Sequence, residues 1–205
     1  GLANLNKSKL INISANPPQE IFNQLVKIYN QGQLSEVIKQ AKRLTEEYPE
    51  SFYVWNILGA STVQLKMFNE SIKAYKKCIF LNPDYAEAYN NMAVALKRLG
   101  KLDEAIVSLK KCVSINPNHA EALNNLGNVF KEQGYLDKAS EAYKRSIIAK
   151  PDYADAYINL ATVFSNQGKL DKAIEAYKTS ILLKPDSIIS YINMGNVLKE
   201  KGELV

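Results

Sequence analysis

Five prolines recur at intervals of 34 residues, and the pattern of apolar and small residues between them recurs with the same period. They are Pro49, Pro83, Pro117, Pro151 and Pro185. A fixed period of about 20 to 50 residues is typical of solenoids, in which each repeat buries its apolar face against its neighbours. The chain is therefore predicted to be a linear array of one structural repeat.

The prolines set the boundaries of the predicted repeats, because placing each at position 32 of a repeat divides the chain without insertions. The predicted segments are an N-terminal extension or short docking helix at 1–17, repeats at 18–51, 52–85, 86–119, 120–153 and 154–187, and a half repeat at 188–205. The repeat at 18–51 fits the pattern least well and is expected to act as a cap. The half repeat has two interpretations: it begins a repeat that continues in a longer protein, or it is a terminal capping helix.

From residue 52 onwards, the first half of each repeat carries large apolar residues at positions 4 and 7 and a small residue at position 8, and all but the repeat at 52–85 add a large apolar residue at position 11. In one repeat these are Leu123, Leu126, Phe130 and Gly127. This spacing is that of the buried stripe of an amphipathic helix. A glycine at position 15 of five repeats can end that helix in a left-handed conformation. Lys66 stands there instead in the second repeat, which is therefore expected to turn differently.

A second helix is predicted in the other half of each repeat. Polar residues able to cap its free amides follow three residues after the turn position: Ser35, Asn69, Asp103, Asp137 and Asp171. Its buried stripe pairs small residues with a large one, as in Ala139, Tyr143 and Ser146. The proline at position 32 ends it, since proline has no amide hydrogen and disfavours helical geometry in the preceding residue. Each repeat is thus a helical hairpin.

These residues resemble the tetratricopeptide repeat. Trp55, Leu58, Gly59, Tyr75 and Pro83 are similar to the large aromatic residue, the Leu-Gly pair, the second aromatic residue and the terminal proline of that family. The resemblance covers residues 18–205. It implies an all-α fold, a right-handed superhelix of about 5.5 helix-turn-helix repeats, with first helices on the concave face and second helices on the convex face.

Composition gives little support to catalysis or membrane insertion. With 46% hydrophobic and 23% charged residues the chain has a soluble composition, and no apolar stretch approaches the length of a membrane span. His119 is the only histidine, and no glycine-rich phosphate loop is present. Cys78 and Cys112 occupy the same position of successive repeats, too far apart for a disulfide, so buried thiols in a reducing compartment are expected. We therefore expect a cytoplasmic, non-enzymatic protein without cofactor or metal.

The net charge of +5 does not by itself indicate nucleic-acid binding. Lysine or arginine pairs recur near the ends of second helices, where cations complement the helix dipole, as in Lys110 with Lys111 and Lys144 with Arg145. We interpret them as a solvated convex face, because the tyrosines fall on buried positions and would not stack on bases. Neither nucleic acid nor membrane is expected as a partner.

Asparagines are concentrated on the predicted concave face of the first helices. A side chain at position 2, 5, 6, 9 or 13 is expected to point away from the hairpin core. The candidate peptide-binding residues there are Asn56, Asn90, Asn91, Asn124, Asn125, Asn128, Asn159, Asn193 and Asn196, with Ile158 and Ile192 adding apolar surface. A carboxamide can pair with both the N–H and the C=O of an extended peptide, so the row is predicted to hold a peptide by its backbone. Hydrogen bonding between adjacent first helices is the alternative role.

Three candidate functions are consistent with this pattern. The leading prediction is an interaction scaffold that holds an extended peptide or a partner helix in its asparagine-lined groove. Residues 121–134 also resemble the repeats of O-linked N-acetylglucosamine transferases, which implies a substrate-recruiting arm of a larger glycosyltransferase-like enzyme. The third is a self-assembling scaffold, in which 188–205 docks on the Tyr53 and Val54 end of another copy or on a groove. A clamp for C-terminal carboxylates is disfavoured, because positions 2, 5 and 6 hold no basic residue.

Overall fold

The computed structural model describes residues 15–203. In this range the chain forms eleven α-helices and no strand: α1 Gln19–Asn30, α2 Leu34–Glu47, α3 Phe52–Gln64, α4 Phe68–Leu81, α5 Ala86–Arg98, α6 Leu102–Ile115, α7 Ala120–Glu132, α8 Leu136–Ala149, α9 Ala154–Asn166, α10 Leu170–Leu183 and α11 Ile188–Lys201. The predicted all-helical fold is confirmed. The helices belong to two compact bodies, one within Gly1–Pro83 and one within Asp84–Val205.

The N-terminal body contains α1 to α4, packed as the hairpins α1/α2 and α3/α4 with α2 against α3. Its core is built from the apolar stripes of these helices and includes Leu25, Val37, Ala41 and Val54, all with no exposed surface. Burial of such side chains is the main favourable contribution to folding. Val54 is therefore not available as the docking surface that the self-assembly hypothesis assigned to it.

The C-terminal body contains three hairpins, α5/α6, α7/α8 and α9/α10, followed by α11, which packs against α10 and α9. The first helices α5, α7, α9 and α11 also contact one another in sequence. This row of neighbouring helices brings equivalent positions of successive repeats onto one face.

A close approach between the two helices of a hairpin explains the small residue at position 8. A Cβ atom added to Gly127 would lie 2.5 Å from Cε1 of Tyr143, and one added to Gly59 would lie 2.8 Å from Cε1 of Tyr75. Both tyrosines are fully buried. Glycine thus makes room for the ring, and burial raises the pKa of Tyr143 above its usual value.

The turn of the second repeat does not differ from the others, contrary to the expectation for Lys66. Lys66 adopts φ of 60°, in the left-handed region where Gly32 and Gly134 also lie. Its N–H bonds to the carbonyl of Val63 at 3.0 Å, as the N–H of Gly134 bonds to Lys131 at 3.0 Å. The hydrogen-bonded helix end therefore imposes this conformation despite a steric cost of about 1–2 kcal/mol for a residue with a Cβ.

The predicted N-caps of the second helices are wrong. These helices begin one residue before the predicted cap residues, and the cap of α6, for example, is Lys101, which makes no side-chain hydrogen bond. The aspartates lie in the first turn and bind the end of the next first helix instead: Gln133 donates to Asp103 at 2.8 Å and Gln167 to Asp137 at 2.9 Å. Their negative charge is still favourable near the N-terminus of the second helix, while their hydrogen bonds link consecutive repeats.

The structure also bears on the two cysteines, on membrane-spanning helices and metal ligands, and on the N-terminal segment. Cys78 and Cys112 are buried and free, and burial raises the pKa of each thiol to about 12. No helix between residues 15 and 203 is long and apolar enough to cross a membrane, and that range contains no cluster of three or more potential metal ligands. The predicted docking helix falls mainly on residues 1–14, which lie outside the described part of the chain.

Candidate functional site

The candidate site is the face formed by the first helices α5, α7, α9 and α11 of the C-terminal body, here called the first-helix face. The predicted residues at position 6 form one row on it, the asparagine row: Asn91, Asn125, Asn159 and Asn193. All four are half-buried. Asn56, also predicted, lies half-buried on α3 in the N-terminal body.

Side chains at position 5 do not point into solvent as the sequence pattern suggested. Asn90 is fully buried, and Asn124 and Ile158 keep only 5% and 8% of their surface exposed. The reason is that the first helix of the following repeat packs over this position. Among the described residues no first helix follows α11, and Ile192 at the same position is 57% exposed.

The buried asparagines hold the asparagine row in place through hydrogen bonds between repeats. Asn125 Nδ2 donates to Asn90 Oδ1 at 2.9 Å, and Asn159 Nδ2 donates to Asn124 Oδ1 at 3.0 Å. The two bonds join the same pair of positions in successive repeats. They satisfy buried carbonyl oxygens that would otherwise be costly, and they fix the orientation of Asn125 and Asn159.

The buried asparagines have further partners that the sequence analysis did not identify. Asn90 Nδ2 approaches Glu121 Oε1 at 3.3 Å and Asn91 Oδ1 at 3.4 Å. Asn124 forms a hydrogen bond with the side chain of Tyr153. Burial and nearby carboxylates raise the pKa of Tyr153, and this hydrogen bond acts in the opposite direction. The sequence did contain one indication of the contact between Asn90 and Glu121. An acidic residue recurs at position 2 of the repeats, and Glu121 is one of these residues.

Asn125 and Asn159 retain hydrogen-bonding capacity. Each carboxamide has two N–H donors and one oxygen acceptor, of which one donor is used for the neighbouring repeat. The remaining N–H and the Oδ1 atom of each make no hydrogen bond with another described residue. Both side chains thus offer one donor and one acceptor on the first-helix face.

The other predicted residues differ in how far they are already occupied. Asn128 Oδ1 accepts a 2.8 Å hydrogen bond from Tyr143 Oη. Asn193 forms a hydrogen bond with the hydroxyl of Tyr177. Burial raises the pKa of Tyr177, and this hydrogen bond lowers it. Asn196 is exposed on α11. The structure therefore brings the predicted residues of the C-terminal body onto one face but leaves Asn125 and Asn159 as its oriented and accessible pair.

Charged residues border the asparagine row on both sides. Glu87, Glu121 and Asp155 are exposed in the first turns of α5, α7 and α9, where negative charge is favourable. On the opposite border, partial burial and the neighbouring Lys97 lower the pKa of Lys131. The face is therefore neutral along its middle and charged at its edges.

His119 caps α7 next to the acidic border. Its Nδ1 atom accepts from the backbone N–H of Ala122 at 3.2 Å, so the ring proton is on Nε2. That atom lies 3.1 Å from Glu87 Oε1. The histidine thus has a structural role at the start of the helix.

The helical hairpins packed in sequence within each body define a helical-repeat protein. Tetratricopeptide repeat models match residues 86–119, 154–187 and 108–139, and a TPR repeat model matches residues 59–100 and 127–168. Together they span residues 59–187. The chain therefore belongs to the tetratricopeptide-repeat family.

Solved structures agree with this assignment. MamA is 26% identical, with a TM-score of 0.72 over 78% of this chain and 93% of that chain. TTC0263, a thermophilic TPR protein of Thermus thermophilus, is 22% identical, with a TM-score of 0.70 over 88% and 98%. YrrB, a TPR protein with an unusual peptide-binding site, is 18% identical, with a TM-score of 0.69 over 87% and 92%. No curated protein matches the sequence.

Proposed function

We propose that the chain is a protein-interaction scaffold whose first-helix face binds an extended peptide by its backbone, with Asn125 and Asn159 as the principal contacts. The observation that supports this most is the pair of uncommitted groups on each side chain, one N–H and one oxygen, held in orientation by a buried asparagine. This donor and acceptor match the C=O and N–H of a peptide unit. TPR proteins as a family bind protein or peptide partners, which agrees with the proposal.

The spacing of the helices suggests how such a peptide is read. Packed helices lie about 8–10 Å apart, and an extended chain advances about 3.3 Å per residue. Asn125 on α7 and Asn159 on α9 would therefore contact peptide units about three residues apart. Contacts of this type hold the backbone and leave selectivity to side chains at the borders of the face.

The fixed orientation of the two asparagines contributes to affinity. A side chain that must become ordered on binding costs about 0.5–1.5 kcal/mol. Here Asn90 and Asn124 hold the two carboxamides in advance, so that cost is reduced. Asn90 and Asn124 are positioning residues, since they are buried and have little surface for a ligand.

The test is selection of random 12-residue peptides on the whole chain, with affinity measurements on variants as the second step. The variant Asn125→Ala with Asn159→Ala removes both pairs of groups, and Asn69→Ala with Asn118→Ala removes two exposed asparagines elsewhere. With two hydrogen bonds of about 1 kcal/mol per side chain, each lost asparagine should weaken binding about thirtyfold.

Folding of both variants is monitored separately, because Asn125→Ala and Asn159→Ala also leave Asn90 and Asn124 without a partner. Affinities are compared at a temperature where circular dichroism shows every variant folded. If no selected peptide binds the first variant more weakly than the parent chain, the asparagine row has only a structural role.

A second candidate, the substrate-recruiting arm of a larger glycosyltransferase-like enzyme, is favoured by the resemblance of residues 121–134, which contain Asn124, Asn125 and Asn128. It uses the same face and differs in requiring a catalytic domain elsewhere in the parent protein. Reading the parent gene beyond Val205 tests it, since a catalytic domain there would support it. We also propose a cytoplasmic location, which is consistent with the buried free thiols and is tested by cell fractionation.

A further inference from the structure

The C-terminal body also carries a groove between the second helices α6 and α8, with residues of the first helix α7 in its lining. The groove has a volume of about 630 Å³, within the range of about 300–1,000 Å³ that is common for ligand pockets. Its floor is largely apolar and is formed by Val113, Ser114, Leu126, Phe130 and Ala142. Phe130 is the half-buried aromatic ring of this floor. We call this site the α6/α8 groove.

The rim of the α6/α8 groove is predominantly basic. Lys110, Lys138 and Arg145 line it and are exposed, and the one acid among its lining residues is Glu141. None of the three cations forms an ion pair with a described residue. Lys138 instead lies over the rings of Phe130 and Tyr135, at 5.8 Å and 4.6 Å from their centroids. The groove thus combines an apolar floor with unpaired positive charge.

We propose that the α6/α8 groove is a second interaction site, which binds an acidic peptide segment that inserts one bulky apolar side chain between the helices. The apolar floor accepts the inserted side chain, and the three cations pair with acidic residues on either side of it. Its three cations lie on the second helices α6 and α8, and none of its lining residues belongs to the asparagine row.

A nucleic acid fits the α6/α8 groove less well. The carboxylate of Glu141 at the rim would repel phosphates, and Phe130 lies at the floor beneath Lys138 rather than on an exposed surface where bases could stack. An acidic peptide requires one apolar insertion and a few carboxylates, which the groove can accommodate.

The neighbouring repeat supplies a matched comparison. The positions of Ser114 and Arg145 are taken by Ile148 and Thr179 one repeat later. The next pair of second helices thus lacks both the small side chain and the second cation of the α6/α8 groove. Ser114 and Arg145 are exposed, so they can be substituted without changing a buried contact.

The experiment uses the same random peptide library on the whole chain and three variants. Lys110→Gln with Arg145→Gln removes two rim cations, and Ser114→Glu places a carboxylate at the edge of the floor. Lys172→Gln with Lys178→Gln makes the same charge change on α10, where both lysines are exposed and unpaired. All substituted residues are on the surface, so the fold is expected to persist.

We expect a class of peptides with Asp or Glu around a Leu, Phe or Trp that binds the parent chain and the α10 variant within twofold. The same peptides should bind at least about tenfold more weakly to the Lys110/Arg145 variant and to Ser114→Glu. They should bind the Asn125/Asn159 variant normally, which separates this site from the proposed function.

Three results would overturn the proposal. One is a selection that yields no peptide dependent on Lys110 and Arg145. Another is an equal loss with the α10 variant, which would show general charge attraction alone. The third is tighter binding of a labelled single-stranded oligonucleotide of about 20 nucleotides that competes with the peptides at the groove.

Discussion

Replacing Gly127 by alanine should destabilise the chain, whereas the same replacement of Gly195 should stabilise it. The added Cβ at Gly127 would lie 2.5 Å, 2.7 Å and 2.8 Å from Cε1, Cδ1 and Cζ of Tyr143. An added Cβ at Gly195 would meet no atom within 4 Å. Both glycines lie inside helices and at the same position of their repeats.

The magnitudes depend on two opposing effects. Alanine is better than glycine inside a helix by about 1 kcal/mol, and this gain applies at both sites. At Gly127 the buried ring of Tyr143 must move, which costs about 1–3 kcal/mol for overpacking and about 1 kcal/mol for its hydrogen bond to Asn128. The free energy of unfolding should therefore fall by about 1–3 kcal/mol for Gly127→Ala and rise by about 0.5–1 kcal/mol for Gly195→Ala.

The assay is urea unfolding monitored by circular dichroism, with thermal unfolding as a second measurement. A change of 1 kcal/mol corresponds to about 2–4 °C in Tm for a chain of this size. The unfolding midpoints of the two variants should move in opposite directions from the parent chain. A shift of both variants in the same direction would refute the packing argument for position 8.

Three further predictions address the turns, the thiols and self-association. Lys66→Gly should raise the free energy of unfolding by about 1 kcal/mol, because φ of 60° strains lysine but not glycine; an unchanged urea midpoint would contradict this. Burial raises the pKa of Cys78 and Cys112 to about 12, so the unfolded chain loses these protons from about pH 8.5 while the folded chain keeps them. Stability should therefore fall as pH rises from about 8.5 towards 12, and the fall should be smaller with both cysteines replaced by alanine. Ile189 and Ile192 of α11 are exposed and would form the contact in the self-assembly hypothesis. That hypothesis predicts that the mass measured by sedimentation rises with protein concentration and that Ile192→Lys prevents the rise. An invariant monomer mass would exclude self-assembly.

The fold could be predicted from the sequence because the contacts within a hairpin repeat in the residue pattern. The apolar stripe with Leu126 and Gly127, the tyrosine at 143 and the proline at 151 each report a local contact or helix end. These features require only the geometry of one hairpin, which five copies of the repeat specify consistently.

Contacts between repeats were harder to predict. A helical pattern shows which side of α7 faces α8, but it does not show that α7 covers Asn90 or that α9 covers Asn124. The same limit explains Asp103, which was expected to cap its own helix and instead accepts a bond from Gln133 of the next repeat. Lys66 was mispredicted for another reason. The hydrogen-bonded helix end imposes a left-handed backbone conformation that lysine disfavours.

Three of the predicted site residues at position 5, Asn90, Asn124 and Ile158, are buried. The sequence singled out both rows of asparagines, and it left open whether they bind a ligand or connect helices. In the structure Asn90 and Asn124 connect helices, and Asn125 and Asn159 do so with one donor while keeping a donor and an acceptor uncommitted. Peptide binding by the asparagine row stays a prediction.

The most direct test of the central claim is nuclear magnetic resonance of the asparagine side chains during titration with a peptide that was selected on the parent chain and binds the Lys110/Arg145 variant with unchanged affinity. The carboxamide signals of Asn125 and Asn159 should shift with the bound fraction, while that of Asn69, exposed on α4 in the N-terminal body, should not. Binding that leaves the signals of Asn125 and Asn159 unchanged would contradict the proposal that the first-helix face holds the peptide.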